Sequence, residues 1–241
     1  MATLRSRVGS YVLPLLPINR RTFDILRYEL RAILTRLRNA LNPFYWRKIR
    51  QLSFCRDLSV NIGSGGKGLP DWINIELVRM RDTTLCLDIR RRLPLAEGSV
   101  SRILAEHVLE HIDFRSDVPV VLQDWYRVLQ RGGVLRIIVP DARRFLQAYV
   151  ADDPRRWREL GWDRDNLPSD IYTSMHIINH IFHQSGEHLF AYDFETLAWA
   201  LRQAGFHTIE QMAFKVSRDS KLAIDQADHE PYSLYVEAVK Q

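Results

Sequence analysis

The sequence contains little cysteine and no long apolar run. Its two cysteines among 241 residues, Cys55 and Cys86, form no CxxC pattern, which excludes a disulfide framework and suits a reducing compartment. No apolar run reaches the roughly 18–20 residues that a membrane-spanning helix needs. We therefore expect a cytoplasmic protein, with a peripheral position at the inner face of the membrane as an alternative.

The first residues superficially suggest a secretory signal peptide, because two arginines precede an apolar stretch at residues 11–16. Pro14 and Pro17 interrupt that stretch, and Arg20 and Arg21 stand where a cleavage site would have small residues. We therefore expect no secretory signal.

The net charge of +5 hides an asymmetry along the chain. Residues 1–56 carry twelve Lys or Arg residues and two acidic ones, a net charge of +10, so the remaining residues carry −5. Such a change in composition predicts a domain boundary. We expect a basic helical arm over residues 1–56 and a second domain over residues 57–241.

The arm has the period of an amphipathic helix from Thr22 to Leu41, ended by Asn42-Pro43. Its apolar stripe consists of Phe23, Leu26, Leu30, Ile33, Leu34, Leu37 and Leu41. Three interpretations stay open. The helix packs on the second domain, it lies on a membrane surface through residues 22–50 with its arginines and aromatic residues, or it binds nucleic acid. The last is less favoured because no RNA-binding signature accompanies the arginines.

From residue 58 onward, short apolar runs alternate with turns and helical patterns, which predicts an α/β layered sheet. Candidate strands are 58–62, 72–77, 84–87, 100–105, 134–139, 206–214 and 233–239, with helices from Asp117 to Gly132 and from Asp193 to Gly205. Ligands in such sheets bind beyond the carboxyl ends of the strands. There the sequence has the Gly63–Gly68 loop, Glu76, Asp88, Glu106-His107 and Pro140-Asp141.

The loop after the first strand has the spacing G-x-G-x-x-G, which is weak evidence alone. A dinucleotide site would need a helix after it to receive the pyrophosphate, but Pro70-Asp71 leads directly into the next strand. Glu76 also follows sooner than the acidic residue of such a site. The pattern favours a ligand that needs close backbone contact and a carboxylate for a ribose, over a nicotinamide-dependent oxidoreductase.

Four segments in order resemble motifs of one enzyme family: Val60-Asn-Ile-Gly-Ser-Gly-Gly, Asp88-Ile89 before Leu93-Pro-Leu, Ala105-Glu-His-Val-Leu-Glu-His, and Leu129-Gln-Arg-Gly-Gly-Val-Leu. They are similar to those of the class I S-adenosylmethionine-dependent methyltransferases. The resemblance implies a three-layer Rossmann-like sheet, a last strand that returns antiparallel to the edge of the sheet, and S-adenosylmethionine as cofactor. The sequence departs from the family in having no helix after its first motif.

The resemblance also implies a set of cofactor-binding residues: Gly63, Ser64, Gly65, Glu76, Asp88, Ile89, Glu106 and His107. Gly63 and Gly65 would let the backbone of the loop run close to the methionine portion of the cofactor. Glu76 would accept hydrogen bonds from the ribose hydroxyls. Asp88 would accept from the adenine amine, with Ile89 beside the ring. Glu106 and His107 would approach the methyl end.

A hydroxyl acceptor would need a general base, and histidine suits that role near neutral pH. Our candidates are His111 first, then His183, with His107 at the methyl end and Asp141 to orient a histidine or contact the acceptor. Structural histidines lining a seam are the alternative. We expect no metal, because HVLEH is not HExxH, no cysteine accompanies it, and sulfonium transfer needs none.

Residues 150–192 have few strand signals and contain Trp157, Trp162 and Tyr172, which predicts a helical cap over the sheet edge. We expect the cap to bind the acceptor, an oxygen of a small metabolite or of a glycan- or lipid-linked intermediate. Two alternatives stay open. They are a cofactor-binding scaffold without turnover and an RNA methyltransferase that uses the basic arm.

Overall fold

The computed structural model describes residues 19–241. Most of the segment on which the signal-peptide question depends falls in residues 1–18 and therefore lies outside the described residues. None of the helices within residues 19–241 combines the length and the apolar character that a membrane span requires.

A seven-stranded sheet forms the centre of the fold, in the order β3-β2-β1-β4-β5-β7-β6. Its strands are β1 Leu58–Ile62, β2 Ile73–Glu76, β3 Leu85–Cys86, β4 Val100–Glu106, β5 Leu129–Pro140, β6 Thr208–Met212 and β7 Ser233–Val239. The first five strands pair in parallel, whereas β7 is antiparallel to both β5 and β6. This confirms the predicted α/β Rossmann-like fold and the antiparallel direction of the last strand. The predicted edge position of that strand is wrong, because β7 lies between β5 and β6 and the edge strand is β6.

The helices are α1 Arg20–Leu41, α2 Pro43–Ser53, α3 Val118–Val128, α4 Ala142–Ala151, α5 Pro154–Glu159, α6 Ser174–His183 and α7 Phe194–Gln203. The alternating apolar pattern of the strands separates two faces. One face packs against α3 and α7, through residues such as Trp125 and Leu201. On the other face, Leu104 and Ile138 pack with Leu222 of a short 3₁₀ helix and Phe214 of a turn. No helix lies between β1 and β2 within the described chain, as the sequence predicts.

Two differences from the sequence prediction go beyond shifts of one or two residues at the ends of elements. Helix α3 ends at Val128 and the strand begins at once, whereas the sequence predicts that the Gly-Gly pair ends the helix four residues later. These glycines belong to the ladder, because Gly132 N donates to Lys240 O and Lys240 N donates to Gly133 O. Helix α2 is absent from the sequence prediction, in which Asn42-Pro43 only ends a helix. The Asn42 side chain instead caps a new helix, with Pro43 at its first position.

The arm packs on the second domain through the face opposite to its apolar stripe. Ala32 is fully buried there, Thr35 Oγ1 donates to Leu77 O, and Asn39 Nδ2 donates to Cys86 O. The large apolar residues of α1 point to solvent, with exposed fractions between 45% and 83%: Ile25, Leu26, Leu30, Ile33, Leu34, Leu37 and Leu41. The polar face of α1 therefore makes the packing contacts, and its apolar face is left uncovered by the described residues.

The predicted cap region has a small core of its own. Trp157 and Ile177 are fully buried in it and pack with Phe145 of α4. This cluster is separate from the two that cover the sheet, and it holds α5 and α6 beside the carboxyl ends of β4 and β5.

Candidate active site

The loop after β1 has a backbone that favours glycine at two positions. Gly63 has φ +67° and Gly65 has φ +53°. A Cβ on Gly63 would lie 2.3 Å from Val108 Cγ2, so this position is packed against the chain. A Cβ on Gly65 would meet no heavy atom of the described chain within 4 Å, its immediate neighbours aside. The loop therefore borders open space at Gly65.

Two polar groups beside this space have unused hydrogen-bonding capacity. Ser64 Oγ is buried and has no hydrogen-bond partner among residues 19–241. Glu76, at the end of β2, accepts from Gly65 N at 3.1 Å and from Leu77 N at 2.7 Å, one bond for each carboxylate oxygen. Each oxygen has a further lone pair, so Glu76 can accept two more donors. The predicted position of a ribose-binding carboxylate thus lies against the glycine loop.

The carboxylate of Asp88 has a partner within the chain that sequence reasoning missed. Arg90 donates to both Asp88 oxygens, at 3.0 and 3.1 Å, and also binds Glu29 of helix α1. Tyr28 lies against the Arg90 guanidinium, 4.9 Å from ring centroid to Cζ. Burial alone would raise the pKa of Asp88, but the bonds from Arg90 hold it below its usual value. The adenine role of Asp88 stays a prediction, and Oδ2, which accepts one bond from Arg90, keeps a lone pair for a further donor.

Glu106, at the end of β4, is bound by the segment before β7. Gln226 donates to it from its backbone and its side chain, both at 3.1 Å, and His229 Nδ1 lies 2.9 Å from Oε1. Burial would raise the pKa of Glu106, but these bonds together lower it. As placed, the carboxylate fastens residues 226–229 to the sheet. Its contact with the cofactor stays a prediction.

His107 follows with a strained backbone, since φ is 52° in a residue with a side chain. Its Nε2 lies 2.9 Å from Ser233 Oγ, and its Nδ1 lies 3.0 Å from Glu110 Oε1. Its ring also packs on His229, with centroids 4.1 Å apart. Nε2 therefore has a hydrogen-bond partner and Nδ1 has an ion-pair contact, which fits a positioned side chain better than a free base.

A cavity of about 470 Å³ opens beyond the ends of β4 and β5, next to His107. Its lining combines residues from the 107–111 segment, the cap and the segment before β7: His107, Glu110, His111, Pro140, Leu160, Gly161, Trp162, His180, Ile181, Gln184, His188, Asp228, His229, Pro231 and Tyr232. His111 Nδ1 lies 2.9 Å from the Glu187 carbonyl oxygen. Because a carbonyl only accepts, Nδ1 carries the proton and Nε2 is left for a ligand.

Two predicted catalytic residues do not reach this cavity. His183 is the exposed last residue of α6 and is not among the lining residues, because the helix directs His180 there instead. Asp141 is the N-cap of α4, where its Oδ1 accepts from Arg143 N and Arg144 N. Burial raises the pKa of Asp141. None of its hydrogen bonds within the described chain goes to a histidine, so it serves the helix rather than a base.

The residues that sequence reasoning missed are Glu110, His188 and Tyr232. Glu110 and His188 belong to segments already noted for their histidines. Because the two residues are far apart along the chain, the sequence does not indicate their contact. His188 is buried, its Nδ1 lies 2.6 Å from Ile181 O, and burial lowers its pKa. Tyr232 precedes β7 and carries no motif.

Residues 73–137 match a family model described as a methyltransferase domain. This match runs from β2 into β5, which are parallel neighbours of β1 and β4 in the sheet. It supports a class I S-adenosylmethionine-dependent methyltransferase, as the resemblance implies. No curated protein matches the sequence of this chain.

Several solved structures are similar to this chain over most of their length. An S-adenosylmethionine-dependent methyltransferase from Archaeoglobus fulgidus is 15% identical with a TM-score of 0.48, covering 87% of this chain and 94% of its own. A Thermotoga maritima methyltransferase described as a possible histamine N-methyltransferase is 17% identical with a TM-score of 0.46, covering 91% and 96%. One from Aquifex aeolicus is 12% identical with a TM-score of 0.42, covering 81% and 88%.

The residues of the glycine loop fit the cofactor of this family. The unpartnered Ser64 hydroxyl, the open space at Gly65 and the free acceptor capacity of Glu76 supply a donor, a close backbone approach and a ribose carboxylate. S-adenosylmethionine supplies an activated methyl group on a sulfonium. The chain's own task is then to hold an acceptor in line with that methyl group, since positioning lowers such barriers by several kcal/mol.

Proposed function

We propose that this methyltransferase methylates a hydroxyl oxygen of a glycan- or lipid-linked acceptor that it meets at an anionic membrane surface. The observation that carries the proposal is the histidine-lined cavity beyond β4, beside the segment that the family uses at the methyl end of its cofactor. Its volume of about 470 Å³ suits a ligand of one or two sugar rings.

The lining of the cavity supports an acceptor rich in hydroxyl groups. Trp162 and Tyr232 provide flat apolar surfaces for the faces of a sugar, while Gln184 and Asp228 provide polar groups for its edges. His111 Nε2 is free to accept a proton from a hydroxyl in this space. The methyl acceptor and the proton acceptor would thus meet on the same side of the sheet as Glu106 and His107.

The catalytic part is tested by transfer of labelled methyl from S-adenosylmethionine to separate lipid, glycan, RNA and protein fractions. We expect label in the lipid or glycan fraction, and we expect His111→Ala to lower kcat about 100-fold or more while S-adenosylhomocysteine binding is kept. His207→Ala, an exposed histidine outside the cavity, is the matched control. Label in RNA alone, or an unchanged kcat in His111→Ala, would contradict the proposal.

The arm supports the membrane part of the proposal. Helix α1 packs by its polar face and leaves a continuous stripe including Leu30, Leu34 and Leu37 in solvent. Trp46 is 55% exposed and Phe44 76% at the start of α2, and the net charge of +10 over residues 1–56 would attract anionic lipid headgroups. An apolar stripe with flanking arginines and an aromatic residue is what an interfacial helix requires.

Liposome sedimentation tests the arm directly. We expect binding to vesicles of phosphatidylglycerol and phosphatidylcholine, less binding to phosphatidylcholine alone, and loss of binding when Leu30 and Leu34 are both replaced by Ser. The control replaces Val150 and Leu189, which are exposed apolar residues outside the arm, by Ser. Equal sedimentation of the two double variants would refute a membrane role for the stripe.

A further inference from the structure

Three side chains that can bind a metal ion meet at the cavity wall. Glu110, His111 and His188 each offer a ligand atom, and these atoms lie within 4.8 Å of one another. An ion with bonds of about 2 Å brings its ligand atoms to within roughly 3–4 Å of each other, so small side-chain rotations would complete the set. Two imidazoles and one carboxylate form a frequent ligand set of catalytic zinc sites with an open position.

The two histidines are held as metal-binding histidines usually are. His111 Nδ1 donates to Glu187 O at 2.9 Å, and His188 Nδ1 donates to Ile181 O at 2.6 Å. Each bond fixes the orientation of the ring and leaves the Nε2 lone pair available. Both carbonyls belong to the backbone of the cap, so the groups that orient the two rings are already in place.

The backbone around the three residues is also joined. Leu189 N and Phe190 N both donate to Glu110 O, at 2.7 and 3.2 Å. This ties the 3₁₀ helix that carries Glu110 and His111 to the segment that carries His188. The rings of the two histidines consequently lie 4.8 Å apart, from centroid to centroid. The cluster is therefore fixed by main-chain contacts and does not depend on long flexible side chains.

The carboxylate of Glu110 is the observation that points to a ligand. The residue is 1% exposed, and neither oxygen has a hydrogen bond of acceptable geometry within the described chain. His107 Nδ1, 3.0 Å from Oε1, is its one ion-pair contact there. A buried carboxylate without hydrogen bonds is costly unless a positive charge compensates it. A bound cation would supply that charge and occupy the lone pairs.

We propose that Glu110, His111 and His188 bind a divalent transition-metal ion of the zinc class, with an open coordination position facing the cavity. The sequence alone argues against a metal, because HVLEH is not HExxH, no cysteine accompanies it and sulfonium transfer needs none. An acceptor oxygen in the cavity could bind at the open position. That consequence rests on the proposed function, whereas metal binding itself does not.

The ion and the base use the same atom of His111, so the two roles exclude each other. If His111 acts as a free base, protein stripped with a chelator keeps its methyl-transfer rate. If His111 is a ligand, the stripped protein loses the rate and recovers it with added metal. The comparison separates the two roles without any assumption about the acceptor's identity.

The site is tested on tag-free, chelator-treated protein by titration with Zn²⁺ in a calorimeter, with Co²⁺ absorption as a spectroscopic check of histidine coordination. We expect one site, and we expect Glu110→Gln, His111→Ala and His188→Ala each to weaken it at least tenfold. His207→Ala should leave the affinity unchanged. Circular dichroism establishes that the variants are folded, and Glu110→Gln keeps the shape of the side chain should the histidine variants unfold.

Three outcomes would overturn the inference: no Zn²⁺ binding, equal binding by wild type and Glu110→Gln, or loss of binding in His207→Ala, which marks adventitious surface coordination. Failure here would leave the proposed function standing, since methyl transfer to the lipid or glycan fraction is measured separately. Conversely, Zn²⁺ binding without label in those fractions would support the metal site and contradict the proposed acceptor.

Discussion

A single methyl group added at Gly65 should weaken cofactor binding far more than its effect on the fold would suggest. In Gly65→Ala the new Cβ enters space that no other part of the described chain occupies. The fold then loses only the cost of placing alanine at φ +53°, about 1–2 kcal/mol. If the cofactor runs along this loop, the same Cβ overlaps it. We expect at least a tenfold loss of affinity, which is about 1.4 kcal/mol.

Gly98→Ala is the matched control. Gly98 has φ +62° and similar partial burial, and it lies at the opposite end of the sheet, before β4. A Cβ there would have its nearest heavy atom 4.0 Å away. Its backbone strain should therefore equal that of Gly65→Ala, with no ligand nearby. Gly63→Ala is unsuitable, because a Cβ there would lie 2.3 Å from Val108 Cγ2 and would disturb the packing itself.

The assay is isothermal titration with S-adenosylhomocysteine, together with urea unfolding of each variant. We expect both variants to lose similar stability, and Gly65→Ala alone to lose affinity. Equal affinities for the two variants would refute the position assigned to the cofactor. A much larger loss of stability in Gly65→Ala would instead refute the open space beside the loop.

Three further substitutions test the electrostatics. Asp141→Asn keeps the helix cap and removes a charge that burial disfavours. Urea unfolding at pH 7 should therefore give unchanged or higher stability for this variant. Its advantage, which comes from the raised pKa of Asp141, should vanish at about pH 4. Arg136→Met leaves two buried carboxylates unpaired and should cost about 3–5 kcal/mol, whereas Arg218→Met in an exposed pair should cost far less. The lowered pKa of Glu106 stabilises the fold above about pH 4.3, and wild type loses this stability as the pH falls below that value. Glu106→Gln removes the titrating group, so its stability should fall less steeply with pH in the same range.

The half of the candidate site that is predicted to bind the cofactor could be placed because its residues follow strands in short order. Strand β1 has the predicted bounds, and Gly63, Ser64 and Gly65 come directly after it. Glu76 ends the next strand, so the sheet itself brings it to the loop. Apolar runs of this kind are typical of parallel strands that are buried on both faces of a sheet. Local pattern and layer geometry therefore suffice for this half.

The half of the candidate site that is proposed to bind the acceptor could not be placed in the same way, since its contacts join distant segments. Glu106 binds His229, 123 residues later, and Glu110 meets His188 only after the cap has folded back. Neither pair has a spacing along the chain that would indicate a contact in a single sequence. His183 illustrates the limit, because the histidine run does reach the cavity but the helix turns His180 rather than His183 toward it.

The arm shows how an amphipathic pattern can indicate a helix and still mislead about its packing. An apolar stripe normally faces a core. In α1, however, the contacts with the domain are made by Tyr28, Glu29 and Thr35, which lie outside that stripe. The contact of Glu29 with Arg90 reaches Asp88, so the arm forms part of the wall near the predicted adenine site. The domain boundary at residue 56 stays a prediction, and across it α1 packs on the second domain by one face. Its other face is left uncovered by residues 19–241 and is the face that the membrane proposal needs.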